Sequence, residues 1–268
     1  MLKLLVLRGV LGHMELLTPA PRRSKYNTNY AEGDIDYSMS SPLNDDGRDF
    51  PCLGYPRGPP SAAYRAGKSI SVSIIGTAPH NGGHCQFSIS YDGIKFVVLK
   101  TIMGKCPAPR RKFSVKIPPS AGTGAAVFAW TWINRSGQRE FYMNCADINI
   151  LGKKKGHITG HELLVANYKV PGKASRIFPE GFANSYGKYI INSTPKLTIT
   201  PKTSTQPYPP KRTPKRQIPT PPTPPSTYNA STPTSSPIHS TIPLTRSSSI
   251  NLLPPHLILH LITTLLLT

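Results

Sequence analysis

A histidine at position 13 follows a twelve-residue leader, MLKLLVLRGVLG, which has a basic residue near its start, an apolar run and a small residue at Gly12. Removal of such a leader would make His13 the first residue of the mature chain. Its α-amino nitrogen and ring Nδ1 would then chelate one metal ion together. Deprotonating the amine costs little near neutral pH, because an α-amino group titrates at about 7.7–8.0. A second imidazole from elsewhere would complete a planar set of three nitrogens, the geometry that suits Cu(II). The leader has the layout of a secretory signal, although it is short and Arg8 interrupts the apolar stretch.

Such a site needs a scaffold, and the sequence reads as short strands. Residues 69–75 alternate as S-I-S-V-S-I, and 86–91 alternate with Phe87, Ile89 and Tyr91 on one side. Asp92-Gly93 is a hairpin turn signal, followed by a strand over 95–101. Further strands are expected over 14–17, 112–117, 125–134 and 140–150, with Arg135-Ser136-Gly137 as a turn. About seven strands without a long helical period predict an all-β fold, an immunoglobulin-like antiparallel β-sandwich with long loops. The expected domain is 13–150, packing on to about 190. Phe128, Trp130 and Trp132 share one strand face, and core packing is their expected job.

The remainder is compositionally different. More than half of the 30 prolines lie from Pro195 onward, among Ser and Thr, so 191–250 reads as a disordered basic linker that cannot build a core. Residues 251–268, NLLPPHLILHLITTLLLT, are too short and too interrupted for a spanning helix, and their layout is that of a GPI-attachment signal. The net charge of +20 falls mainly on the tail. No zinc-finger spacing, helix-turn-helix or aromatic-plus-basic motif accompanies it, so no nucleic-acid partner is expected. Four cysteines, Cys52, Cys85, Cys106 and Cys145, lie inside the domain with no CxxC pair, which fits two structural disulfides in an oxidising compartment. Three connectivities are open; the expected one is Cys85 with Cys106, closing a short loop, and Cys52 with Cys145. Asn134, Asn192 and Asn229 each begin an N-x-S/T sequon, read as glycosylation sites of a secreted protein, with Asn134 at a turn where a glycan would fit.

Four blocks extend this reading. HMELLTPAPRRSKYN, IDYSMSSPLNDDGRDFPCLGY, APHNGGHCQFSISYDGIKF and AVFAWTWINRSGQREFYMNCADINI resemble, in order, the fungal lytic polysaccharide monooxygenases, closest to the chitin-active copper-dependent family. They cover 13–150 nearly throughout, and LLVAN and IFPEG echo a following segment.

The resemblance implies one copper ion, a polysaccharide substrate with chitin favoured, an external electron donor, and a monomer. By motif position the metal residues fall on His13, His80 and Tyr142. His80 sits in P-H-N-G-G, a loop that projects a side chain, and His84 is the rival ligand. Glu140 and Tyr142, two apart on a strand, face the same way, a carboxylate beside a phenol. That suits an axial tyrosine next to an acid that positions or protonates the oxygen co-substrate, so the catalytic residues implied are Glu140 and Tyr142. Tyr26 and Tyr30 are candidates for contact with the polysaccharide. Two rivals share the sequence: a non-catalytic copper-binding surface protein on the same fold, and a structural glycosylated wall protein with idle histidines.

Overall fold

The structure is a computed structural model, and it describes residues 14–201 except positions 139, 171, 173 and 174. Among the described residues there are ten strands in chain order: β1 (Met14–Thr18), β2 (Ala62–Arg65), β3 (Ser69–Gly76), β4 (Gly83–Ser90), β5 (Val97–Ile102), β6 (Lys112–Lys116), β7 (Gly124–Asn134), β8 (Phe141–Leu151), β9 (Ile158–His161) and β10 (Lys196–Ile199). One α-helix, α1 (Asn184–Asn192), precedes the last strand. The leader, His13 and the chain beyond Pro201 lie outside the described residues, and with them the expected GPI signal.

β1-β3-β6 form a three-stranded antiparallel sheet, and β2-β8-β7-β4-β5 form a five-stranded one. Alternation in the sequence becomes an inner and an outer face. Met14, Leu16, Ile70, Val72, Ile74, Phe113 and Val115 point from the small sheet into one apolar cluster. They meet Phe87, Ile89, Phe128, Trp130, Trp132, Ala146 and Ile148 from the large sheet. This is the expected sandwich. Leu16 donates its backbone N–H to Asn144 Oδ1 at 2.8 Å, which ties β1 across the layers to β8.

The structure adds detail to the expected sandwich and moves one boundary. β2 pairs with β8 in parallel, so the sandwich is not wholly antiparallel. The large sheet is buried on both faces: Val127, Ala129, Ile133, Phe141 and Met143 meet a second cluster built from Leu43, Leu163–Ala166, Phe178, Phe182 and Ile190. That second layer explains why β7 and β8 read as nearly unbroken apolar runs rather than as alternation. The linker does not start at 191, because Lys196–Ile199 pairs with Ile158–His161 and Ile199 is buried. Finally, α1 packs Gly187, Ile190 and Ile191 inward at helical spacing. Its central glycine, its β-branched residues and an Ala183 cap without a side-chain bond are poor helix signals.

Two disulfides staple the fold: Cys52 to Cys145 on β8, and Cys85 on β4 to Cys106.

Candidate metal centre

His80 lies in the connection 77–82 between β3 and β4. His80 and Asn81 both have left-handed backbone, with φ of 45° and 55°, and Gly82 follows at 80°. Consecutive left-handed residues are unusual away from functional or tightly constrained turns. Gly82 is required twice over, since a Cβ there would stand 2.8 Å from Gly104 O and 2.9 Å from Ala108 O. The β7–β8 turn holds the loop from the other side: Ser136 N donates to His80 O at 3.3 Å, Arg135 N to Gly82 O at 3.0 Å, and Asn81 Nδ2 to Ser136 Oγ at 3.0 Å.

The loop brings His80 to Glu140 and Tyr142. His80 Nε2 is 3.9 Å from Glu140 Oε2, and Tyr142 Oη donates to the same oxygen at 2.5 Å. Trp132 underlies both, with its ring 4.5 Å from Tyr142 and 5.8 Å from His80. Its indole N–H donates to Gly82 O at 3.3 Å. The side chains of His80 and Glu140 are 20% and 15% exposed, whereas Tyr142 is 1% exposed. The imidazole and the carboxylate therefore reach the surface while the phenol lies beneath them. Burial, and then the hydrogen bond to Glu140 and its charge, push the Tyr142 phenol far above its ordinary value, so it keeps its proton.

His84 is not available. It is 1% exposed, its Nδ1 accepts the N–H of Gly104 at 3.0 Å, and the rings of Phe182 and Phe178 stand 4.5 and 5.9 Å away. Gly187 of α1 approaches its Nε2 so closely that no Cβ would fit. Burial, then the positive charge of Arg135, lower its imidazole to about 4, so it is a neutral core residue at neutral pH. Phe128, Trp130 and Trp132 are core residues as well, each fully buried.

The first described residue, Met14, pairs with Gly76, and the His80 loop leaves the sheet directly after Gly76. β1 thus begins at the end of the sandwich where His80, Glu140 and Tyr142 meet. His13 itself is outside the described residues, and among those residues no group of three or more His, Cys, Asp or Glu side chains is placed to hold a metal. The donor chemistry that is present, one partly exposed imidazole beside a neutral phenol and a carboxylate, fits copper completed by nitrogens from another part of the chain.

Tyr26 is exposed, with Lys25 Nζ 5.2 Å from its ring centroid. The structure draws Tyr30 elsewhere: its hydroxyl covers Gly58, beside Asp147. Asp147 lies five residues along β8 from Tyr142, about 17 Å at roughly 3.4 Å per residue. Asp147 is bound there by Arg22, at 2.7 and 2.8 Å. The glycan expected at Asn134 is also corrected. Asn134 is 4% exposed, and its Nδ2 donates to Gln138 O at 2.6 Å and Ser136 O at 3.0 Å, so the nitrogen that would carry a sugar is turned inward. Asn192 is exposed at the end of α1, and Asn229 lies outside the described residues. No spacing or composition signal would have marked Asn134 or Trp132 as part of this site.

Three curated fungal proteins are similar to the chain. "AA11 family lytic polysaccharide monooxygenase A" of Aspergillus fumigatus is 49% identical over 145 residues, covering 53% of this chain and 66% of that protein. The chain is homologous to the AA11 lytic polysaccharide monooxygenases. An Aspergillus oryzae AA11 family lytic polysaccharide monooxygenase is 36% identical over 170 residues, covering 54% of this chain and 37% of that protein. "AA11 family lytic polysaccharide monooxygenase B" of A. fumigatus is 34% identical over 164 residues, covering 53% and 37%. The chain thus spans just under two thirds of the first AA11 relative and little more than a third of the other two. No family model matches it. Among solved structures, an AA10 lytic polysaccharide monooxygenase from Streptomyces lividans superposes with a TM-score of 0.37 at 13% identity, over 51% of this chain and 99% of that one, a likeness too loose to bear on function.

Proposed function

We propose that the chain is a copper-dependent polysaccharide monooxygenase that cleaves glycosidic bonds oxidatively, with chitin as substrate and an external electron donor as partner. One observation carries the reading: His80, Glu140 and Tyr142 converge at the end of the sandwich where β1 begins. The AA11 homologues supply the reaction class in their names.

In this reading the α-amine and Nδ1 of His13 and the imidazole of His80 would hold the copper. Copper, when bound, supplies one-electron chemistry that lets an oxygen co-substrate take a hydrogen from the carbon beside a glycosidic bond. Tyr142, kept neutral by burial and by Glu140, offers a weak oxygen contact rather than a phenolate. Glu140 is held by Tyr142 through Oε2, which leaves Oε1 to hold or pass a proton to the co-substrate. Tyr26, exposed, is the better placed of the two tyrosines for contact with polysaccharide. The two disulfides support an extracellular location, with the tail as a linker to a GPI anchor, and a single copy suffices for the site. Among the described residues no helix is long and apolar enough to cross a membrane.

The test is release of oxidised oligosaccharides from chitin by the secreted protein, driven by peroxide and a reductant. Release that vanishes in His80→Ala is the expected result. Copper binding without release would leave a copper-binding surface protein, and no copper binding would leave a structural one.

A further inference from the structure

The β7–β8 turn contains a side chain whose hydrogen bonds all converge on it. Asn134 ends β7, and its Oδ1 accepts the backbone N–H of Glu140 at 3.0 Å. Its Nδ2 donates to the carbonyls of Gln138 at 2.6 Å and Ser136 at 3.0 Å, and stands 3.5 Å from Glu140 Oε2. One buried amide thus grips the backbone of Glu140, touches its carboxylate, and closes the loop between. Glu140 stands just before β8, and apart from Asn134 its backbone meets Asn167, whose Nδ2 donates to the Glu140 carbonyl at 3.5 Å. We propose that Asn134 is the positioning residue that holds the Glu140 carboxylate against His80 and Tyr142. This rests on the role given to Glu140 above.

An ordinary turn cap would need only the contacts to Ser136 and Gln138. The grip on Glu140 is additional, and the turn does not depend on Asn134 alone. Glu180 Oε1 accepts Gly137 N–H at 3.1 Å, and Gly181 N donates to Arg135 O at 2.8 Å. Loss of Asn134 should therefore loosen Glu140 more than it unfolds the turn. An amide also suits the place better than an acid, which would set a second carboxylate beside Glu140 and two carbonyls.

The test is a double-mutant cycle on the full chain with His13 verified as N-terminal. Asn134→Ala should lower chitin oxidation about tenfold, the worth of one well-placed hydrogen bond. In a Glu140→Gln background the same change should lower it no further, and copper affinity by calorimetry should be the same in all four proteins. In copper-free protein, amide hydrogen exchange at Glu140 should accelerate, and Asn134→Ser provides the same reading if the alanine variant does not fold. An equal loss with and without Glu140, or no loss at all, would overturn the assignment. If Glu140→Gln alone leaves oxidation unchanged, the role of Glu140 is wrong first, and that result is separate from a failed cycle.

Discussion

Tyr142 donates its phenolic proton to Oε2 of Glu140 across 2.5 Å, and that same oxygen stands 3.9 Å from Nε2 of His80. One carboxylate oxygen links a buried phenol to a surface imidazole. Tyr142→Phe should therefore weaken the fold by about 1–2 kcal/mol, since a part-buried acceptor loses its donor. Chemical denaturation measures this. Oxidation of chitin should fall while copper stays bound by its nitrogens. Loss of copper from the phenylalanine variant would make the phenol an essential ligand, against this account.

The buried phenols predict a one-sided response to alkali. Burial raises Tyr91 to about 12, and Tyr142 is raised further. A group whose folded value lies above its unfolded one contributes stability that is complete below the unfolded value, about 10, and is lost as pH rises through the folded one. Thermal unfolding should show no tyrosine-dependent change between pH 7 and about 9, then a fall above pH ~10. A fall that begins below pH ~9 would contradict the burial of these phenols.

His84 predicts the acid response. Its folded imidazole is lowered to about 4 from 6.5, so the unfolded chain binds the extra proton first. Stability from this residue is complete above the unfolded value and drains as pH falls toward 4, by on the order of 3 kcal/mol. His84→Leu should remove that part of the acid sensitivity and leave copper binding intact. If the leucine variant loses copper, His84 is a ligand and His80 is not the pair of His13.

The two disulfides should differ in worth. Cys52–Cys145 spans 93 residues and Cys85–Cys106 spans 21. Loop entropy makes the longer one worth about 1 kcal/mol more. Paired alanine variants compared by denaturant midpoint check the order, and the reverse order would mean that the denatured chain is not a free loop.

Much of the sandwich was legible because one face of β3 and of β6 is wet. Ser69, Ser71, Lys112 and Lys116 alternate with Ile70, Val72, Phe113 and Val115, and a period of two is visible in any such strand. The second layer was not legible. β7 and β8 are buried on both faces, so no simple alternation marks them, and the helix that covers them carries a glycine where a strong helix former would have announced it. Within the site, Tyr142 came from the resemblance, and its two-residue spacing to Glu140 put the carboxylate on the same face. The preference for His80 over His84 is not legible in spacing: the two are four apart, and it is tertiary burial of His84 under Phe178, Phe182 and Gly187 that separates them. The inward turn of Asn134 is equally invisible in a sequon, whose pattern is blind to burial.

In the proposed function His80 holds copper together with a free His13 amine. The measurement that tests it most directly is copper titration by calorimetry on protein whose N-terminus mass spectrometry shows to be His13. One equivalent should bind tightly. Binding should be lost in His80→Ala, lost when a single residue precedes His13, and unchanged in His84→Leu. No uptake by the verified protein, or uptake that survives both the His80 change and the blocked amine, would contradict the account.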